Sequence, residues 1–177
     1  MLPLQTERLL LRPPEMADAP VVANLVGNWN VARWLAQVPF PYALADAEAF
    51  IVDRLTLPPS MVGTVAVIAR DAQPIGMIGI EPRRCGMELG YWLGESYWGN
   101  GYMTEAAMAF TQGYFDDSRA VDLQCGYIEG NDGSARVLTK LGFEIVGRNT
   151  IFSRSNGRDM PDVNLRLTRA RFRMMQT

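Results

Sequence analysis

Two glycines between an apolar run and a helical pattern mark the segment that is the clearest candidate for binding a ligand. Gly99 and Gly101 separate the run Met87–Leu93 from the helical pattern Tyr102–Phe115. Glycine accepts positive φ and close approach to its backbone, and the first turn of a helix leaves N–H groups unpaired. A phosphate group can bind to such N–H groups without a cationic side chain. The alternative is a tight strand–helix turn that holds no ligand.

The residues around the two glycines exclude two common phosphate-binding motifs. No Gly-Lys-Ser or Gly-Lys-Thr follows, which rules out a P-loop. The third glycine of a dinucleotide fingerprint would fall at Thr104. The two glycines by themselves do not identify a ligand, and the plain strand–helix turn stays open.

A second polar segment follows another strand-like run and also opens a helix. Asn131 is placed to cap the pattern Asp132–Leu141, Ser134 lies in its first turn, and Gly142 is placed to end it. Capping accounts for Asn131 by itself, but it does not account for the pairing of this segment with the glycine loop.

The composition limits the acid–base chemistry. The chain contains no histidine, so His-based triads, dyads and zinc sites are excluded, and a general base must be a carboxylate, a tyrosine or water. Alternation along the run Met87–Leu93 places Glu88, Gly90 and Trp92 on one face. Glu88 is the candidate base, and a solvated strand glutamate is the alternative. Cys85 and Cys125 form no C-x-x-C motif and are expected to be reduced thiols, without a metal.

Taken together, these segments resemble the GNAT superfamily of acetyl-CoA-dependent N-acetyltransferases, and more narrowly its RimJ/RimL branch. The similarity is carried by the opening Thr6–Arg12, by Gly90–Leu93, by Tyr97–Ala106, and by Asn131-x-x-Ser134 through Phe143. These pieces occur in order over nearly the whole chain, and two positions depart from the pattern. Ser96 replaces the usual Gln or Arg before the first glycine, and Leu138 stands where many members carry a tyrosine general acid.

The resemblance implies acetyl-CoA as cosubstrate and a set of residues that bind it. Pantetheine is expected to pair with the strand near Trp92 and Leu93, and Asn131 and Ser134 to line its sulfur end. Glu88 is then the candidate base, and Ser134 or water protonates the departing thiolate. The pyrophosphate is expected on the backbone amides of Trp98, Gly99, Asn100, Gly101, Tyr102, Met103 and Thr104.

The elements that must position these residues follow from hydrophobic periodicity. Residues 8–12, 64–70, 74–81, 87–93, 121–128, 143–152 and 162–168 read as strands. Helices are predicted after Asp18 up to Gly27 and over 45–55, 102–115 and 132–141, with residues 29–42 irregular apart from a short helix near 31–35. The order predicts a mixed, mostly antiparallel sheet of about seven strands with about four helices. The resemblance adds that this α/β (α+β) sheet is a GNAT fold, splayed in its middle.

Length and charge bound the remaining expectations. The 177 residues suit a single domain spanning 1–177, and the net charge of −2 argues against direct nucleic-acid binding. No apolar stretch is long enough to span a membrane and no signal peptide is evident, so a cytoplasmic location is expected.

The expected activity is direct acetyl transfer to a primary amine, for example a protein N-terminal α-amine. A small-molecule acceptor such as an aminoglycoside or polyamine is the first alternative. A non-catalytic acyl-CoA-binding or sensor module is the second, and a homodimer is left open.

Overall fold

The described strands form one mixed sheet that is antiparallel except at its centre. The computed structural model describes residues 2–58, 63–83, 86–116 and 119–176. The spatial order of the eight strands is β1-β2-β3-β4-β5-β6-β8-β7, and β5 and β6 run parallel. They are β1 (Leu4–Gln5), β2 (Leu10–Arg12), β3 (Thr64–Arg70), β4 (Gln73–Arg83), β5 (Gly86–Leu93), β6 (Asp122–Ile128), β7 (Glu144–Ser153) and β8 (Arg158–Thr168).

Six α-helices accompany the sheet in the described part of the chain. The 3-10 turns Met16–Asp18 and Glu95–Tyr97 precede α1 and the glycine loop, respectively. The helices are α1 (Ala19–Val26), α2 (Trp29–Ala32), α3 (Leu44–Thr56), α4 (Tyr102–Phe115), α5 (Asp132–Leu141) and α6 (Arg169–Met174).

Each face of the sheet carries its own apolar core. On the first face, α4, α5 and α6 pack through side chains such as Phe110, Leu138 and Phe172, all of which are fully buried. On the second face, α1 and α3 cover β3 and β4 through residues that include Val22 and Ile51. This second core reaches only as far as Trp92 on β5, so the second face of β6 and β8 lies beyond it.

Local sequence signals explain most element boundaries. Gly27 ends α1, and Gly142 ends α5 in the left-handed conformation at φ 93°. The turn between β3 and β4 lies at Asp71 and Ala72, both with positive φ. The two glycines match the predicted helix ends, and the turn falls between the predicted strands 64–70 and 74–81.

The predicted mixed, mostly antiparallel sheet is confirmed, with more elements than expected. The additional strand is β1, which has two residues, too few for a periodic signal. The additional helix is α6, with six residues. The short helix expected near 31–35 begins earlier, at Trp29, because Asn28 caps it by accepting a hydrogen bond from the Asn30 N–H.

No helix in the described ranges combines the length and apolar character needed to cross a lipid bilayer.

Candidate active site

The site is built around a gap between the two parallel strands at the sheet centre. The register pairs β5 with β6 at Glu88 and Gln124. The Gly94 N–H donates to the Ile75 carbonyl at 2.9 Å, so Gly94 and Trp92 direct their main-chain groups toward β4. The alternate residues Tyr91 and Leu93 therefore direct theirs toward the gap.

The Leu93 carbonyl has an internal partner at the mouth of the gap. The Trp98 indole N–H donates to it at 2.9 Å, which ties the glycine loop to the end of β5. The N–H and C=O of Tyr91 and the N–H of Leu93 remain directed toward the gap. The main-chain groups of Trp92 belong to the ladder with Met77 on β4, so in this part of β5 the groups that face the gap are those of Tyr91 and Leu93.

The glycine loop has the conformation that an anion cradle requires. Gly99 and Gly101 both have φ 77°, and Gly101 is the N-cap of α4. A Cβ built at Gly99 meets no atom within 4 Å, so the loop faces open space there. Asn100 donates its amide to the Trp98 carbonyl at 3.0 Å, which holds the loop closed on itself. The first-turn N–H groups of α4 thus face a position open to an anionic ligand.

Three residues of the predicted phosphate segment open α4. The side chains of Tyr102 and Met103 are each 7% exposed and belong to the first-face core, so only their backbone groups can serve a ligand. Thr104 is half-buried in the same turn.

The N-terminal segment supports the loop from the side. The Arg8 guanidinium donates to the Asn100 carbonyl at 3.0 Å and bonds Glu105 at 2.7 Å. Glu105 also accepts from the Thr6 hydroxyl at 2.6 Å. Partial burial opposes ionisation of Glu105, but the hydrogen bonds from Thr6 and Arg8 outweigh it and lower its pKa. Glu105 therefore fixes the loop to the start of the chain.

The second motif places two polar side chains beside the gap. Asn131 caps α5 by accepting the Ser134 N–H at 3.1 Å, as the spacing predicted. The Ser134 hydroxyl lies 2.8 Å from the Tyr91 hydroxyl of β5. This contact joins β5 to α5 across the gap, and periodicity had assigned Tyr91 only to the apolar face of its strand.

Carboxylates line the second face of the gap. Glu88 lies on the same face as Gly90 and Trp92, as alternation predicted, and its side chain is 43% exposed. Burial raises the pKa of Glu88, and Glu81 adds to this, while Arg83 at 3.8 Å opposes it.

Asp162 is the residue of this face that sequence reasoning missed. It lies on β8 opposite Ile128, and its carboxylate oxygens are 3.3 and 3.4 Å from where a Gly126 Cβ would be. Asp162 is 7% exposed, and burial together with the charge of Glu88 raises its pKa to about 6. An Asp within the run Arg158–Thr168 carries no local signal that it faces Glu88.

A wall beyond the carboxylates is formed by two segments distant in sequence. The tip of the β7–β8 hairpin docks on residues 33–37, with the Arg154 N–H donating to the Ala36 carbonyl at 2.8 Å. The Asn156 amide donates to the Arg33 carbonyl at 2.8 Å. The Trp34 ring reaches to 3.7 Å from the Cβ position of Gly130, next to Asn131. Aromatic residues of the 29–42 segment thus border the site at Trp34, while Trp29 packs edge-on against Phe40 at 4.8 Å.

Burial of Cys125 keeps its thiol from acting as a ready nucleophile in this site. Cys125 is buried on β6, and burial, with Glu88 and Asp162 adding to it, raises the pKa of its thiol. Cys85 lies outside the described residues. Within residues 2–58, 63–83, 86–116 and 119–176, no group of three or more Cys, Asp or Glu side chains could hold a metal ion.

Comparisons with known proteins agree with this geometry. The family model for the acetyltransferase (GNAT) domain matches residues 8–144. An uncharacterized N-acetyltransferase, p20, from Bacillus licheniformis is 26% identical over 160 residues, which cover 88% of this chain and 89% of that protein.

Solved structures extend the comparison to the fold. The ribosomal-protein-S5-alanine acetyltransferase from Vibrio fischeri aligns with a TM-score of 0.80 at 20% identity, covering 95% of this chain and 97% of that one. RimJ from Mycobacterium smegmatis, solved with CoA-disulfide, aligns with a TM-score of 0.75 at 18% identity, covering 92% and 82%. At these identities the likeness establishes a shared fold.

Proposed function

The chain belongs to the acetyltransferase (GNAT) family, and we propose that it transfers an acetyl group from acetyl-CoA directly to an N-terminal α-amine of a protein or peptide. The observation that carries the proposal is the gap between β5 and β6. Backbone N–H groups and hydroxyls border it on one side, and the carboxylates of Glu88 and Asp162 border it on the other. The first set suits a phosphate-bearing thioester, and the second suits an ammonium group.

The residues present fit acetyl-CoA. The N–H groups of the Gly99–Thr104 segment suit the pyrophosphate, because Gly99 leaves open space where a side chain would intrude. The N–H and C=O of Tyr91 and the N–H of Leu93 suit the amides of pantetheine, since they point into the gap. Acetyl-CoA supplies the acetyl group as a thioester, and CoA leaves as the free thiol.

Ser134 and Asn131 then serve the sulfur end. Asn131 fixes the first turn of α5, and Ser134 presents a hydroxyl beside the gap. We assign to this hydroxyl a hydrogen bond to the departing sulfur, with the thiolate proton coming from Ser134 or from water.

Glu88 is assigned as the base, acting directly or through a water, and Asp162 as a second anion that favours a cationic acceptor. An α-ammonium has a pKa of about 8 and a lysine ammonium about 10.4. Passing a proton to the same carboxylate therefore costs about 3 kcal/mol less from an α-ammonium than from a lysine ammonium. A site without histidine therefore favours an α-amine.

The Vibrio fischeri protein is an alanine acetyltransferase of ribosomal protein S5, which supports the same acceptor class for this chain. The test therefore compares classes of amine rather than one target protein. The wall at Trp34 and the hairpin tip is the surface that the following residues of a peptide would meet.

The experiment measures thiol release from acetyl-CoA with three matched acceptors. These are a short peptide with a free N-terminal alanine, the same peptide blocked at its N-terminus but carrying one lysine, and a polyamine or aminoglycoside. We expect the first to give the highest kcat/KM. Faster turnover of the polyamine or aminoglycoside would instead assign a small-molecule acceptor. Saturable acetyl-CoA binding with turnover of none of them would indicate a binding module.

A further inference from the structure

Helix α5 carries Leu138 at the position where many members of the family carry a tyrosine. Leu138 is fully buried in the first-face core among residues such as Leu141 and Phe110. Its side chain offers no proton donor, and the apolar surroundings leave none to the gap from that position. The Ser134 hydroxyl therefore needs another side chain to orient it if it is to donate to the departing thiolate more effectively than water does.

A phenol reaches the same helix from the opposite side of the gap. The Tyr91 hydroxyl lies 2.8 Å from the Ser134 hydroxyl and 3.4 Å from the Ser134 carbonyl. The shorter contact has the length of a normal O–H···O hydrogen bond, whereas the longer one is beyond it. Tyr91 therefore bonds chiefly to the Ser134 side chain.

We propose that Tyr91 is a positioning residue for Ser134, whose hydroxyl it holds so that the serine hydrogen is directed at the departing sulfur. This inference rests on the proposed function. A serine hydroxyl carries one hydrogen and can accept at its lone pairs. When Tyr91 donates to the serine oxygen, the serine hydrogen is left for another acceptor. The phenol thus acts through the Ser134 hydroxyl, whereas a tyrosine at position 138 would donate the proton itself.

The surroundings keep Tyr91 in the donating form. Burial raises the pKa of Tyr91 well above its ordinary value, and Cys125 and Tyr127 on β6 add to this, against the hydrogen bond with Ser134. Cys125 is itself kept neutral by burial. The facing elements β6 and α5 thus present thiol, phenol and hydroxyl groups to Tyr91, and the phenol stays protonated where an amine is acetylated.

The test is Tyr91→Phe, which keeps the ring in the core and removes the hydroxyl. With acetyl-CoA and the N-terminal alanine peptide, we expect kcat to fall about fivefold, the kinetic equivalent of one neutral hydrogen bond of about 1 kcal/mol. The acetyl-CoA Kd should stay within about threefold. Tyr114→Phe is the matched control, because its hydroxyl donates to the Asp122 carbonyl at 3.0 Å away from the gap. The control should keep wild-type kcat.

A double-variant cycle separates positioning from a structural role. In a Ser134→Ala background, Tyr91→Phe should have no further effect on kcat, because the hydroxyl it positions is gone. Three results would overturn the proposal. They are a kcat in the double variant reduced by the product of the two single losses, an unchanged kcat in Tyr91→Phe, and an equal fall of kcat in Tyr114→Phe. Wild-type protein that binds acetyl-CoA but acetylates no amine would overturn the proposed function itself, which is a distinguishable result.

Discussion

The two sides of the β5–β6 gap are built in different ways. The side assigned to acetyl-CoA uses short motifs, Gly99 with Gly101 and Asn131 with Ser134, each placed by its own helix start. The side assigned to the amine combines Glu88 of β5 with Asp162 of β8 and a wall from residues 33–37. Local backbone rules position the first set, and only the sheet register positions the second. The first side is also neutral, whereas the second carries two carboxylates.

The largest effect is expected from Glu88→Gln, which removes one of those carboxylates while keeping its shape. We expect kcat/KM to fall by about 100-fold or more for the lysine peptide, in the range typical for loss of a general base. The loss should be smaller for the α-amine peptide, because more of that amine is already neutral at pH 7.

The pH dependence sharpens this prediction. Burial raises the pKa of Glu88, so wild-type kcat/KM should fall at the acid end as Glu88 takes up its proton. The variant should follow only the fraction of free amine as the pH rises. Parallel profiles of equal height for the two proteins would make Glu88 an ordinary strand carboxylate. Glu144→Gln, on an exposed residue of β7, is the control.

Ser134→Ala tests the neutral side of the gap. We expect kcat to fall by about 100-fold, the low end for a general acid, because water can substitute. The Asn131 cap should survive, since it uses the Ser134 N–H, and the acetyl-CoA Kd should stay within about threefold. Thr139→Ala, which removes an exposed hydroxyl of the same helix, should behave as wild type. If Ser134→Ala keeps the wild-type kcat in an assay where the chemical step is rate-limiting, Ser134 has no role in the mechanism.

Gly101→Val should weaken acetyl-CoA binding by at least about tenfold, or about 1.4 kcal/mol. Gly101 has φ 77°, which a β-branched residue resists, and its Cβ would lie 3.5 Å from the Arg8 guanidinium that braces the loop. Gly147→Val is the matched control, because a Cβ there meets no atom within 4 Å. Calorimetric titration of both folded variants decides it, and an unchanged Kd at Gly101 would place the coenzyme elsewhere.

The same division explains what could be predicted from the sequence. The strand–Gly-x-Gly–helix order, the Asn131 cap and the face of Glu88 follow from spacings within a few residues, and the structure reproduces them. Glu105 shows the limit: it lies in the first turn of α4, where a carboxylate interacts favourably with the helix dipole, yet it binds Thr6 and Arg8.

Tyr91 and Asp162 show the same limit from the other direction. Periodicity assigned Tyr91 to an apolar face, and only the placement of α5 shows that its hydroxyl meets Ser134. Asp162 reaches the gap because β8 inserts between β6 and β7, a strand order that no local pattern specifies. Contacts made by long-range strand pairing therefore cannot be predicted from local sequence patterns.

The smallest kinetic effect is expected from Asp162→Asn, which also tests whether the acidic side is held at a cost in stability. Burial and the charge of Glu88 raise the pKa of Asp162 to about 6, above the ordinary 3.8. The folded state therefore binds this proton more tightly than the unfolded chain does. The contribution of protonated Asp162 to the free energy of unfolding is full below about pH 4 and is lost as the pH rises through about 6.

Asparagine cannot lose a proton, so the variant should lack that fall. Urea unfolding at about pH 4 and pH 7.5 should show the wild type losing on the order of 3 kcal/mol relative to Asp162→Asn over this interval. Asp159→Asn, on an exposed residue of the same strand, should keep the wild-type slope. In the kinetic assay, Asp162→Asn should raise the KM of the α-amine peptide about threefold, since one anion near the ammonium is gone. A lost slope with an unchanged KM would make Asp162 a buried carboxyl without contact to the amine, and the acidic side would then reduce to Glu88.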